Sequence, residues 1–435
     1  MRKKDRKLKR KSNRINRVEV ILNIIHVIPL YLPVGGTEIH TRELSIELVK
    51  LGHQVTVLTT DAIYINDLFP KIGYRTRHLG EAIFKDSGVV VYRFHVTNSL
   101  FLSFIIKCLS IMCKSMRDLG LLSQDHLDYV EALHNSPVVP KIYFKLISSN
   151  NVDVVNSTPF PLGWSLFLKD ICKRKRVPFI VTPRAHTMSW MFSQSFLIKT
   201  AKESDAVIAL TEHERMFFVE RGVPRDKVFV TGIGVHPEKY QTGNAALFKA
   251  NYKIPQNSRI VLFIGRIGKG KGVDLLLQSM RIVWNKISDV YLVLLGKSTT
   301  DTSRIKRICQ DNRKVIILPN APEKTKVDAL SASDMLVLPS TYESFGGVFL
   351  EAWSAGKPVI GCKIPAISSV INNMVDGLLA VPDESDMAEK IIYLLENEDE
   401  AKKMGKNGRE KVLKNYTWEI VARKTLEVYE SVSKK

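Results

Sequence analysis

At 435 residues the chain is too long for one ordinary core, so two domains are expected, and its apolar share is that of a soluble globular protein. Five scattered cysteines (Cys108, Cys113, Cys172, Cys309, Cys362) without C-x-x-C spacing argue against a disulfide framework or a zinc site and for a reducing compartment. The net charge of +20 is concentrated at the start, where ten of the first seventeen residues are Lys or Arg, opposed only by Asp5.

A basic start followed by apolar residues has the outline of a signal peptide. The run 18–32, however, is broken by Glu19, Asn23 and His26, and no small-residue cleavage site follows. It reads as the first buried strand of an α/β domain. Residues 1–17 are then a disordered basic arm, drawn to anionic lipid or nucleic acid, or simply solvated. No segment has the ~20 apolar residues needed to span a bilayer. The nearest is 100–112, where Ser103, Lys107, Ser110 and Lys114 form a narrow polar stripe on a helix. Such a helix is buried in its own domain or dips into a membrane surface. Burial is the expectation, because α/β folds bury helices routinely.

Strand-like runs follow at 21–29, 54–59, 89–94, 152–156, 179–182, 206–210 and 228–231, alternating with helical patterns. A polar stretch with Pro and Gly at 237–244 reads as a linker. A second series occupies 260–264, 291–295, 315–318, 335–338, 359–361 and 378–381, with helices at 273–284 and 348–355. Two doubly wound sheets joined by a linker leave a cleft where the carboxyl ends of both sets of strands can face one ligand. At 418–432 apolar residues recur at helical spacing beyond the last strand, and this helix is placed as crossing back to the first domain. The expected division is therefore arm 1–17, N-terminal Rossmann-like domain 18–238, C-terminal Rossmann-like domain 239–415 and returning helix 416–435.

The chemistry is concentrated in two loops. In 339–360 a buried strand ends at Pro339 and Gly346-Gly347 opens a helix, whose exposed N–H groups suit an anion. Glu343 and Glu351 flank that start. Carboxylates there compete with a phosphate unless they bind something else, such as sugar hydroxyls; alternatively Glu343 is merely exposed and Glu351 favours the helix dipole. The second loop, GRIGKGKGVD at 265–274, places Arg266 and Lys271 just past a strand, where two cations suit a departing diphosphate. The other reading is a flexible basic surface loop; the Walker spacing is absent.

Together these segments resemble glycosyltransferase family 4 (glycosyl transferases group 1), retaining enzymes of the GT-B architecture with two facing Rossmann-like α/β domains. The likeness runs from Ile25 to about Trp418. The E-x7-E element matches Glu343 and Glu351; G-R-x4-K-G matches Gly265, Arg266, Lys271 and Gly272. The glycine-rich loop matches Gly35-Gly36-Thr37-Glu38, and the end of the first domain matches Gly222-Val223-Pro224.

The resemblance implies that Glu343 and the backbone of Phe345, Gly346 and Gly347 hold the donor sugar and its phosphate. It assigns Glu351 to the ribose, Arg266 and Lys271 to the diphosphate, and Gly36 to the same phosphates from the other domain. A family histidine beside the transferred sugar points to His186 in FIVTPRAH, although an ungapped reading picks Arg184. The run Gly232-Ile233-Gly234-Val235-His236 departs from the family's asparagine-glycine-valine-aspartate.

The implied reaction is retaining, metal-independent transfer of a hexose or N-acetylhexosamine from a UDP- or GDP-sugar, with no cofactor. Its acceptor is a glycan or lipid-linked intermediate of the cell envelope, and its place is cytoplasmic, with peripheral attachment to the inner face of the membrane through the arm. No D-x-D stands at a strand end, and 383–386 reads as a helix start. Lys173–Arg176 reads as cations favouring a helix C-terminus. Alternatives are a GT-B-like sugar-nucleotide epimerase and a non-catalytic basic scaffold; nucleic-acid binding is not expected of the leading reading.

Overall fold

The computed structural model describes residues 20–32, 35–69, 75–97, 99–159 and 161–433, so the basic arm lies outside the described residues. Short runs of Val, Ile and Leu that are buried on both faces become parallel strands, because β-branched residues suit a pleated surface covered by helices. β1 (Asn23–Val27), β2 (Gln54–Thr60), β3 (Ala82–Asp86), β4 (Val89–Phe94), β5 (Val154–Ser157), β6 (Phe179–Val181), β7 (Ala206–Ala209) and β8 (Val228–Val230) form one sheet. Their order is β3-β4-β2-β1-β5-β6-β7-β8. A second sheet contains β9 (Arg259–Ile264), β10 (Val290–Gly296), β11 (Val315–Pro319), β12 (Met335–Leu338), β13 (Val359–Cys362) and β14 (Gly377–Ala380), in the order β11-β10-β9-β12-β13-β14.

Among the described residues the named strands all pair in parallel except β3 with β4. The sequence reading omitted β3. It is an edge strand of alternating exposure, AIFKD, with too little apolar signal to stand out. Residues 237–241 of the expected linker form a 3-10 turn opened by Pro237, and no strand.

Two chain crossings join the sheets, and they run side by side. Val235 N–H donates to the Tyr416 carbonyl at 2.9 Å, and Trp418 N–H donates to the Val235 carbonyl at 3.3 Å. A Cβ on Gly234 would stand 2.3 Å from the Trp418 ring, so only glycine permits this approach.

The helix Trp418–Ser433 lies on the helix Gly36–Lys50 and shares a core with β1, β2 and β4. The Tyr429 hydroxyl is its buried anchor. It lies 2.9 Å from His26 Nε2 and accepts from Asn156 Nδ2 at 2.7 Å. His26 and Asn156 are neighbours in register on β1 and β5. Burial lowers the His26 pKa to about 4, so its ring is neutral and Nδ1 faces Ser45 Oγ at 2.7 Å.

One expectation is overturned. Residues 100–112 do form a helix (Leu100–Asp118), but it is not buried: Phe101 is 75% exposed and Phe104 64%, and Ile106 is its one buried residue. Among the described residues its main neighbour is the helix Gln124–His134. Periodicity located the helix; it could not say that two faces of a largely apolar helix would lack a partner.

Candidate active site

The loops 265–274 and 339–347 of the second sheet interlock through their glycines. Gly272 has φ +75°, and a Cβ there would stand 2.2 Å from the Pro339 carbonyl oxygen. The loop after β9 thus seats directly on the end of β12. Gly346 has φ +83°, and a Cβ would meet the Phe349 ring at 2.5 Å. Gly347 then starts the helix Val348–Ser354 with no side-chain cap, and the N–H groups of Phe349 and Leu350 donate back to the Gly346 and Gly347 carbonyls at 2.9 and 3.0 Å. The docking carries Lys271 Nζ onto Glu343 Oε1 as a short ion pair of mostly buried side chains. Arg266 stays exposed at the mouth.

Glu351 lies in the first turn of that helix. Its Oε1 accepts from Lys326 Nζ at 2.9 Å, while its Oε2 is buried with no hydrogen-bond partner. The Tyr240 phenol faces the same carboxylate, and burial together with Glu351 pushes its pKa far up. Around them is a cavity of about 340 Å³ walled by both domains, with Gly36, His40 and His236 on one side and Tyr240, Gly347 and Glu351 on the other. Its size suits a small ligand. Gly36 opens the first helix there, and nothing stands within 4 Å of where its Cβ would be. The cradle is shaped for close backbone approach.

The facing group of residues begins beyond β6. Arg184 adopts φ +54° and is buried; its Nη2 donates to the Gly36 carbonyl at 3.2 Å, and its Nη1 has no partner. Ala185 N–H donates to Glu214 Oε1 at 2.6 Å, and Leu210 N–H donates to Glu214 Oε2 at 2.7 Å. One buried carboxylate therefore clamps the loops after β6 and β7, and its burial raises its pKa to about 7. The clamp presents His186, whose ring stacks on Tyr342 at 4.3 Å and 7°. Burial lowers the His186 pKa; Glu343 opposes this, and Lys271, Arg184 and Arg266 add to it. His186 Nδ1 is buried without a partner.

His186, Glu343, Lys271 and Arg266, taken from both domains, thus share one electrostatic field, with Gly36 and Glu351 on the adjoining cavity. Arg184 and His186 divide the strand end: the arginine turns to the glycine loop, the histidine to Tyr342. Phe345 is different. Its ring is buried edge-on against Tyr416 at 5.6 Å, so only its backbone is left for a ligand.

Sequence reasoning missed Tyr342, Lys326, Tyr240 and Glu214. Tyr342, next to Glu343, was within reach; nothing local marks the others. Asp383 accepts from Ser385 N–H and Asp386 N–H as a helix cap. Lys173, Arg174 and Lys175 close the helix Trp164–Lys175. Among the described residues one Asp/His/His group has metal-like spacing. Asp61 accepts from Val96 N–H, and its two oxygens contact His78 Nδ1 at 2.9 Å and His95 Nδ1 at 2.7 Å. It stands at the ends of β2 and β4, three strands from β6.

Two parallel sheets opposed across a ligand cleft, with this crossing-over of the C-terminal helix, define a GT-B glycosyltransferase fold. The Anabaena HepE structure, in complex with UDP and glucose, shares it with a TM-score of 0.68 over 94% of this chain and all of that one, at 16% identity. Residues 35–234 match the glycosyl transferase 4-like domain, and residues 245–411 match the family described as glycosyl transferases group 1. The chain belongs to this family and is a glycosyltransferase. It is 24% identical to an uncharacterized glycosyltransferase of Methanocaldococcus jannaschii, over 91% of this chain and 94% of that protein. A capsular polysaccharide biosynthesis glycosyltransferase of Staphylococcus aureus, CapM, is 26% identical over 49% of this chain and 58% of its own length.

Proposed function

We propose that the chain moves a hexose or N-acetylhexosamine, with retention and without a metal, from a UDP- or GDP-sugar to a glycan or lipid-linked acceptor of the cell envelope. The observation that carries this reading is a pair of buried polar atoms without hydrogen-bond partners among the described residues, Glu351 Oε2 on the cavity and His186 Nδ1 in the field of Glu343, Lys271 and Arg266. Buried polar groups are rarely left unpaired, so both are reserved for a ligand. A ribose hydroxyl suits Glu351 and a sugar hydroxyl suits His186. UDP in HepE and the capsular role of CapM support the donor and acceptor classes.

In the proposed step the bond between C1 of the sugar and the diphosphate oxygen breaks. The acceptor oxygen bonds to C1 from the same face, and its proton passes to a departing diphosphate oxygen. Lys271 and Arg266 stabilise the charge that develops there, which suits a route without metal assistance. Glu343 is held by Lys271 and orients the sugar instead of bonding to it. A glycosyl adduct trapped on Glu343 and seen by mass spectrometry would overturn this step.

Thermal shift with UDP, GDP and ADP assigns the base, since a specific ligand stabilises by mass action. Glu351→Gln should weaken nucleotide binding, and His186→Ala should cut turnover by about tenfold or more, the worth of a good hydrogen bond to the reacting sugar. Unchanged turnover with an unchanged melting temperature removes His186 from the site.

A further inference from the structure

The exposed helix Leu100–Asp118 is the largest departure from what a soluble fold requires. Phe101, Phe104, Ile105, Cys108, Ile111 and Met112 recur at the spacing that puts them on one helical face, and all six are exposed. Leu119 and Leu121 continue the patch beyond the helix end at 74% and 70% exposure. Contiguous apolar surface of this kind marks a docking face.

The charge along the helix selects the partner. Lys107 and Lys114 run along one edge of the apolar stripe, and no acid stands in the helix before Asp118. In a two-fold pairing of identical copies these lysines would meet a face with no carboxylate to receive them. The chain's net charge of +20 opposes self-association further. Long cationic side chains bordering an apolar face are instead what an anionic leaflet accepts: rings and aliphatic groups enter the acyl boundary and ammonium groups reach the headgroups. The helix is not long and apolar enough to cross a membrane. It suits a position lying flat.

Its placement matters for the reaction. β4 is parallel to β2, and β2 to β1, so β4 ends at the same edge of the sheet as the strands that carry Gly36 and His186. The helix starts six residues past Phe94, capped by Ser99, whose Oγ accepts from Leu102 N–H at 3.2 Å. We infer that the exposed face of Leu100–Asp118 seats in an anionic lipid monolayer and sets the acceptor edge of the first sheet against the headgroups. The docking stands on this surface alone; its bearing on a lipid-linked acceptor rests on the reaction proposed above.

The test uses the full chain and vesicles of phosphatidylglycerol with phosphatidylcholine, against vesicles of phosphatidylcholine alone. With Cys113→Ser, and the other cysteines buried, Cys108 on the apolar face becomes the single accessible thiol for an environment-sensitive dye. Dye emission should shift to the blue with anionic vesicles. Phe104→Ser with Ile111→Ser, both on exposed positions, should lower partitioning at least tenfold and leave the thermal shift by the assigned nucleotide intact. Lys107→Gln and Lys114→Gln should each cost about fivefold on anionic vesicles only; these exposed substitutions also cover the case in which the serine variant fails to fold.

Unchanged partitioning of the serine variant, or a dye that stays in water on bound protein, overturns the inference. So does a lipid-free dimer dispersed by the serine substitutions, or binding that removal of residues 1–17 abolishes at every lipid concentration. Vesicle binding without any nucleotide shift would instead break the donor-site reading and leave the docking in place.

Discussion

On the proposed donor side, Glu343, Lys271 and Arg266 sit on loops locked by their own glycines, Gly272 against Pro339 and Gly346 against Phe349. On the proposed acceptor side, Arg184, Ala185 and His186 are held by partners far away in sequence: the Gly36 carbonyl and the Glu214 carboxylate. The contrast has a physical origin. A phosphate is gripped by backbone N–H groups and cations, which a short glycine-rich turn can supply locally. A sugar ring must be met from several directions, so its contacts come from different strands and need long-range clamps. The donor half therefore reads as motifs, and the acceptor half does not.

Lys271→Ala is the most direct way to break the donor half. It removes the partner of Glu343 and the proposed diphosphate cation together, and turnover should fall by about 10²–10³-fold, the usual cost of losing one preorganised charge stabiliser. Steady-state rates with the assigned donor check this. A loss confined to donor KM would reduce Lys271 to a binding residue.

The acceptor clamp should show itself in pH dependence. Glu214 is raised in the folded chain from 4.5 to about 7, so the folded form holds its proton more tightly than the unfolded form. Its contribution is present at low pH and lost as pH rises from 4.5 through 7, by at most about 3 kcal/mol. Urea unfolding between pH 5 and 7 should be visibly flatter for Glu214→Gln. Parallel slopes for the two proteins would mean that Glu214 is already ionised.

Tyr429→Phe tests the helix that returns across the first domain. It leaves His26 Nε2 and Asn156 Nδ2 buried without the hydroxyl, at a cost of about 1–3 kcal/mol. The loss should appear in urea unfolding, and the C-terminal helix should become the first site of proteolysis. A stability unchanged within error would show that apolar packing alone seats the helix.

The smallest expected effect sharpens the comparison at the hinge, where His236 stands in place of the family's aspartate. Its Nε2 lies 3.0 Å from Glu43 Oε2 on the first helix, and that bond raises the His236 pKa and lowers that of Glu43. Glu238, Glu47, Arg42 and Lys239 surround the pair. Its contribution is full between about 4.5 and 6.5. It is lost as pH rises through the raised histidine value, and as pH falls through the lowered glutamate value. Partial exposure screens it to about 0.5 kcal/mol at most. His236→Asn should cost stability at pH 6 and nothing at pH 9; an equal loss at both values would assign His236 a packing role.

By itself the sequence determined the two strand series, the glycine-punctuated loops and the positions of Glu343, Glu351, Arg266 and Lys271. These depend on local periodicity and on spacing within one turn. It passed over β3, whose edge position leaves little apolar signal, and misjudged the helix at residue 100, whose burial depends on what packs against it. Only the tertiary structure decided that Glu214 holds the loop of His186, that Tyr342 stacks on His186, and that Lys326 takes one oxygen of Glu351 and leaves the other open. The reason is distance along the chain. Side chains from strands and helices that share no pattern meet because two sheets pack, and no local spacing records that encounter.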